Sequence, residues 1–74
     1  MSMERYKNLG GNSNVHFYEI GSDYVMVQFS TGRPYKYSYR SAGRDKVEIM
    51  KKLAVQGQGL NSYIMRYAKY DYER

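Results

Sequence analysis

The stretch that decides the fold is Arg33-Pro34-Tyr35-Lys36-Tyr37-Ser38-Tyr39-Arg40. Tyrosines alternate with polar or basic residues here, and a period of two is typical of a β-strand. The three tyrosines therefore share one face of the strand, and Lys36, Ser38 and Arg40 share the other. Interleaved rings and cations suit a single-stranded nucleic acid, because bases stack on rings and phosphates contact cations. The same pattern also suits a strand that buries tyrosines in a small core.

Two further strands are predicted before this stretch, at Val15–Ile20 and Tyr24–Phe29. Short turn-forming segments follow each of them, at residues 21–23 and 30–32, so the three strands should form an antiparallel meander. In the first strand, alternation places Val15 and Phe17 on one face and His16 on the other.

The loop Ser30-Thr31-Gly32 determines the register between the second and third strands. A three-residue hairpin loop needs a left-handed residue at its third position, and Gly32 supplies it. This register pairs Val27 with Tyr35 and Val25 with Tyr37, so both tyrosines should point toward the core. The opposite face is then basic and carries few rings, through Met26, Gln28, Lys36, Ser38 and Arg40.

Two helices are predicted after the strands. Asp45 can cap the first helix, which covers residues 46–56 and ends before Gly57. The second helix should bury one face made of Leu60, Ile64, Tyr67 and Ala68. The predicted fold class is α+β, a three-stranded antiparallel meander followed by two helices packed on one face of the sheet.

The length of 74 residues indicates one domain. We expect a flexible N-terminal arm at residues 1–13, the folded domain at 14–70 and a tail at 71–74. Residues 69–74 fit either a helix tail or an extra edge strand. A core this small predicts modest stability, as a monomer or a homodimer.

Several classes of function receive no support from the composition. There is no cysteine, and His16 is the single histidine, so neither a disulfide framework nor a metal site is expected. No nucleophile, base and acid are grouped, so we expect no catalytic residues, no cofactor and no enzyme. No stretch approaches the roughly 20 apolar residues of a membrane span, and no signal peptide is evident, which predicts a cytoplasmic protein.

The charge favours an anionic partner, because 12 Lys and Arg against 7 Asp and Glu give a net charge of +5. The leading hypothesis is a non-catalytic nucleic-acid-binding domain, with RNA favoured over DNA. The candidate phosphate contacts are Arg33, Lys36, Arg40, Arg44, Lys51 and Lys52, and Tyr39 is the candidate stacking ring. The alternative is a protein-interaction domain, such as a small regulator or inhibitor, that contacts an acidic partner through a strand edge or its basic face.

A resemblance to a known family covers residues 13–70. Tyr35-Lys36-Tyr37 resembles the central tyrosine-x-tyrosine motif of the KTSC domain, which occurs at the C-terminus of some lysyl-tRNA synthetases and alone in bacterial and phage proteins. The other matching residues are Asn14, Val15, Val25, Val27, Phe29, Gly32, Gly59, Asn61, Ile64 and Tyr67. The chain departs from the family in its connector at residues 38–44, which contains no proline. The resemblance implies an α+β domain and a proposed RNA-binding role, by analogy alone.

Overall fold

The computed structural model describes residues 3–11, 14–30 and 32–73. The elements in chain order are β1 (Glu4–Arg5), β2 (Val15–Ile20), β3 (Tyr24–Phe29), β4 (Tyr35–Ser38), α1 (Arg44–Gln56) and α2 (Leu60–Tyr63). Helix α2 continues directly as a π-helical segment, Ile64–Ala68. All strand pairs are antiparallel, and the sheet order is β1-β2-β3-β4.

The predicted α+β class, with an antiparallel sheet and two helices, is confirmed. The predicted number of strands is wrong, since the sheet has four strands over the described residues. The additional strand, β1, lies in the segment that we expected to be a flexible arm. Its two residues offer no alternating pattern long enough to be read from sequence.

The predicted register between β3 and β4 is confirmed, because Val25 pairs with Tyr37 and Val27 with Tyr35. The strand itself is shorter than the tyrosine-rich stretch and covers Tyr35–Ser38. One further backbone hydrogen bond extends the ladder, from Tyr39 N to Asp23 O at 2.9 Å. Thr31, in the middle of the predicted loop, lies outside the described residues.

The core lies between one face of the sheet and the two helices. Helix α1 contacts β3, β4, α2 and the π-helical segment. Apolar burial of this kind is the main stabilising contribution in a small domain. The buried apolar residues are Tyr6, Val15, Val25, Val27, Tyr37, Val47, Met50, Ala54, Leu60, Ile64 and Ala68.

Helix α1 begins earlier than predicted and ends where predicted. Its first residue is Arg44 and its N-cap is Gly43, so the prediction that Asp45 caps the helix is wrong. Asp45 instead lies in the first turn, where a carboxylate still interacts favourably with the helix dipole. At the other end Gly57 adopts the left-handed conformation (φ 83°), and its N–H donates to Leu53 O.

The second helix buries only part of its predicted face. Leu60, Ile64 and Ala68 are buried, but Tyr67 is 55% exposed. The reason is the π-helical segment, whose wider turn changes the angular spacing of the residues that follow Leu60. Residues four apart, namely Leu60, Ile64 and Ala68, therefore face the core. Tyr67, seven residues after Leu60, is rotated away from it.

The segment before β2 is an integral part of the fold over the described residues 3–11, which corrects the expectation of an arm. Tyr6 is 2% exposed, and its hydroxyl accepts a hydrogen bond from Leu60 N at 3.3 Å. Tyr6 N donates to His16 O at 2.8 Å, and Leu9 N donates to Gly57 O at 2.7 Å. The segment thus connects β2 to the turn between the helices. Residues 1, 2, 12 and 13 of the predicted arm lie outside the described residues.

The tail packs along the free edge of β4. The Tyr72 and Tyr35 ring centroids are 4.7 Å apart, and Glu73 N donates to Lys36 O at 2.7 Å. Asp71 forms a 2.7 Å ion pair with Lys46. Within the described residues 69–73 this segment forms no strand, although it covers the edge at which one would add. Residue 74 of the predicted tail is not among them.

Replacing Tyr6 with alanine tests whether the N-terminal segment is structural. Loss of a buried ring should lower the free energy of unfolding by about 3–5 kcal/mol, measured by urea denaturation. The control Leu9→Ala changes an exposed side chain and should alter it by no more than about 0.5 kcal/mol. Equal, small effects of both substitutions would contradict the docking of this segment.

Alkaline pH should destabilise the fold through Tyr37. Burial, followed by the nearby Tyr35, Tyr72 and Asp71, raises the pKa of the Tyr37 hydroxyl above its ordinary value of 10.0. The unfolded chain therefore releases this proton first, and the free energy of unfolding should fall as the pH rises above about 10. The free energy of unfolding of Tyr37→Phe, measured by urea denaturation at pH 8 and above pH 10, should fall less steeply than that of the wild type. A slope equal to that of the wild type would count against the burial of this hydroxyl.

Candidate nucleic-acid interface

In the part of the chain that the structure describes, the face of the sheet opposite the helices is open to solvent around Arg5 and Phe17, whereas Ser38 at its other side is buried and hydrogen-bonds to Ser41. This face presents the side chains that alternate with the buried residues of β2, β3 and β4. Directly paired residues in antiparallel strands lie side by side on one face, so register identifies the neighbours on this surface. Three rows result, formed by Arg5, Phe17 and Gln28, by Glu19, Met26 and Lys36, and by Tyr24 and Ser38.

A β-bulge in β2 turns Phe17 onto this open face. Val15 pairs with Phe29 on the core side, whereas Phe17 pairs with Gln28 and Tyr18 with Val27. The extra residue shifts the alternation, so Val15 is buried and Phe17 is 39% exposed. The prediction that Val15 and Phe17 share a face is therefore wrong. Strict alternation in the sequence contains no signal for this bulge.

Tyr24 supplies a second ring on the open face, in a fixed position. Its hydroxyl donates to Glu19 Oε2 at 2.6 Å, and this hydrogen bond is the main cause that raises the pKa of Tyr24. The ring lies over Gly21, and a Cβ added at Gly21 would overlap the ring. Lys36 Nζ lies 4.7 Å from the Tyr24 ring centroid, a cation–π contact. Regular alternation places Tyr24 on this face and the bulge adds Phe17, so the open face carries both rings.

The predicted contact residues around β4 occupy three different places. Lys36 lies on the open face, as predicted, and is half-buried. Arg33 precedes the strand and Arg40 lies in the turn after it, so they are at opposite ends of β4. Both arginines are exposed. Phosphate contacts by all three would require a strand of nucleic acid that runs along β4.

Tyr39 and the predicted cations of α1 form a separate cluster on the helix side. The Tyr39 hydroxyl donates to Glu48 at 2.5 Å, and Lys51 Nζ forms a 2.9 Å ion pair with the same carboxylate. Arg44 Cζ and Lys51 Nζ lie 5.9 and 5.5 Å from the Tyr39 ring centroid. Tyr39, the predicted stacking ring, is therefore half-buried and has internal partners.

The Tyr39 cluster is electrostatically coupled. The hydrogen bond from Tyr39, followed by that from Lys51, lowers the pKa of Glu48, and the shared hydrogen bond raises the pKa of Tyr39. Lys51 also donates to Ser22 O at 3.0 Å, which connects α1 to the turn between β2 and β3. Lys52, the remaining predicted contact, is exposed on the same helix. The structure therefore divides the predicted site between the open face, the ends of β4 and α1.

Three side chains of the proposed open-face site, Arg5, Phe17 and Tyr24, were not among the predicted contacts. Alternation with Val25 and Val27 places Tyr24 there. Alternation predicts that Phe17 shares a face with Val15, and its exposure follows from the bulge. Arg5 was assigned to the arm, and its position beside Phe17 follows from the pairing of β1 with β2. Both depend on contacts between segments distant in sequence, so no local pattern could have identified them.

Two further findings concern a metal site and a membrane-spanning helix. Among residues 3–11, 14–30 and 32–73, no group of three or more His, Cys, Asp or Glu side chains is placed to hold a metal ion. Neither helix in the described part of the chain has the length and apolar character needed to cross a membrane.

The comparisons with known proteins add no identification. No family model, no curated protein and no solved structure matches the chain. The resemblance to the KTSC domain is therefore a prediction from the sequence motifs alone.

Proposed function

We propose that this chain is a non-catalytic domain that binds single-stranded nucleic acid, RNA in preference to DNA, through the open face of its sheet. The observation that supports the proposal is the combination of Phe17 and Tyr24 with Arg5 and Lys36 on one uncovered surface. Sheets that bind single strands use rings as stacking platforms for bases and cations for the phosphates. The proposal keeps Lys36 from the sequence prediction and replaces Tyr39 with Phe17 and Tyr24 as the stacking rings.

Charge supports an extended path for the nucleic-acid backbone. Arg33 and Arg40 flank β4 at its two ends, and the net charge of the chain is +5. Arg44, Lys51 and Lys52 on α1 would contribute long-range attraction in this scheme, without contact to the stacked bases. RNA is favoured because specific recognition of RNA is directed mainly at unpaired bases, which rings such as Phe17 can stack on.

The alternative, a protein-interaction domain that acts through a strand edge, receives less support. One edge of the sheet is β1, which has only two residues, both charged. The other edge is β4, where the tail hydrogen-bonds to Lys36 O. Short, charged or covered edges discourage the addition of another strand. Binding of an acidic protein to the basic face is the remaining form of this alternative, and a lack of RNA binding in the experiments below would favour it over the RNA proposal.

Substitution of Phe17 tests the stacking contribution. Phe17→Ala should weaken binding of single-stranded RNA by about 1–3 kcal/mol, the typical value of one base-on-ring stack, in fluorescence-anisotropy titrations. Leu9→Ala is a matched control, because it also removes an exposed apolar side chain but lies off the open face. Thermal unfolding monitored by circular dichroism should show that both variants are folded. Equal RNA affinity of the two folded variants would contradict stacking on Phe17.

Charge reversal at Lys36 tests the phosphate contact. Lys36→Glu should weaken RNA binding. It should also reduce the slope of log affinity against log salt concentration by about 1, the contribution of one phosphate contact. The control Arg66→Glu changes the net charge by the same amount at an exposed site on the π-helical segment. If both reversals weaken binding equally at two salt concentrations, the effect is one of total charge and the open face is not the interface.

A further inference from the structure

A cavity of about 480 Å³ lies between the core side of β3 and β4, the second helix and the tail. Its volume falls in the range of about 300–1,000 Å³ typical of small-molecule sites. It lies away from Phe17, Tyr24 and Lys36, none of which lines it. Its lining includes five rings, from Phe29, Tyr35, Tyr37, Tyr70 and Tyr72.

The rings form walls at different angles. The Phe29 and Tyr35 rings meet edge to face with centroids 5.9 Å apart, and Tyr37 and Tyr72 meet at 87° with centroids 6.2 Å apart. Tyr70, which is 64% exposed, lies at the opening. Such a set offers both ring faces and ring edges, which are the two surfaces that a planar aromatic ligand contacts favourably.

The polar groups of the cavity select the charge of the ligand. Among the described residues that line the cavity, Lys69 is the one charged side chain and none carries a carboxylate. An anionic group is therefore favoured and a ligand ammonium group is not, which disfavours free aromatic amino acids. Asn14 and Asn61 add amides, each of which offers both donors and an acceptor to the edge of a heterocycle.

The backbone of the second helix adds a further indication. Met65, from the π-helical segment, and Lys69, which follows it, both line the cavity. Single π-helical turns within helices occur frequently at functional sites. Ile64 and Ala68 of the same segment are buried, so the π-helical turn presents one side to the core and Met65 to the cavity.

We propose that this cavity binds a mononucleotide, a nucleobase that carries a phosphate. The base stacks among Tyr35, Tyr70 and Tyr72, its polar edge meets the amide of Asn61, and the phosphate lies at Lys69. The ligand is either a free nucleotide or the phosphorylated end of an RNA chain. In the second case the site extends the proposed RNA-binding function, whereas in the first case it is independent of that function.

The test is an NMR titration of the full chain, labelled with ¹⁵N, with AMP, GMP, CMP and UMP. Saturable shifts should occur at the amides of Asn61 and Lys69, and not at Phe17 or Lys36. AMP should bind up to about fivefold more tightly than adenosine, which lacks the phosphate. Lys69→Gln should reduce AMP affinity to that of adenosine, and the control Lys52→Gln, an exposed lysine outside the cavity, should leave it unchanged.

Three results would overturn the proposal. The first is a lack of saturation at millimolar nucleotide, and the second is equal binding of AMP and adenosine. The third is binding of indole-3-acetate as tight as that of AMP, because this anionic aromatic compound lacks the polar edge of a nucleobase. Asn61→Ala should remove the preference for AMP over indole-3-acetate.

Competition distinguishes the two sources of the ligand. If a short RNA with a 5′-phosphate displaces AMP and the same RNA with a 5′-hydroxyl does not, the natural ligand is the phosphorylated end of an RNA chain. Displacement by neither RNA identifies a free nucleotide. Lys36→Glu should leave AMP binding unchanged, so failure of the open-face proposal and failure of this one give separate signals.

Discussion

The rest of the structure depends on the burial of Tyr37 opposite Val25 in the antiparallel pair of β3 and β4. Both residues are almost fully buried, and a slip of one residue in this pairing would exchange the two faces of β4. Tyr37 and Tyr35 would then face solvent, and Lys36 would face the apolar side chains of α1. The cost of burying that charge makes the alternative register unfavourable. The same pairing therefore determines the core and places Lys36 and Tyr24 on the open face.

Both ends of the chain complete this small domain. Leu, Ile and Val together contribute only eleven residues, so tyrosine rings must supply much of the buried area. Tyr6 fills the space beside the second helix, and Tyr72 covers the rings of Tyr35 and Tyr37. The hydrogen bond from Glu73 N to Lys36 O also covers the β4 edge of the sheet. The aromatic cavity exists because the tail approaches β4 without adding a strand to it.

The open face owes the Phe17 ring to a local irregularity and the space for the Tyr24 ring to a glycine. The bulge in β2 reverses the orientation of Phe17, and the absence of a side chain at Gly21 leaves space for the Tyr24 ring. The hydrogen bond from Tyr24 to Glu19 keeps that ring in place, which in the proposed binding mode would reduce the entropy lost on stacking. On the helix side, by contrast, Tyr39 is hydrogen-bonded to Glu48 and contacts two cations.

The sequence by itself determined the α+β class, the three long strands, the pairing of Val25 with Tyr37 and the end of α1 at Gly57, because these follow from short-range periodicity and turn chemistry. It also placed Lys36 on the exposed side of the sheet. Only the tertiary structure decided the positions of Arg5, Tyr6, Phe17 and Tyr72, and the division of the predicted cations between sheet and helix. The physical reason is that a two-residue strand, a bulge, a π-helical turn and a docked tail are stabilised by contacts between distant segments, which leave no periodic pattern in the chain.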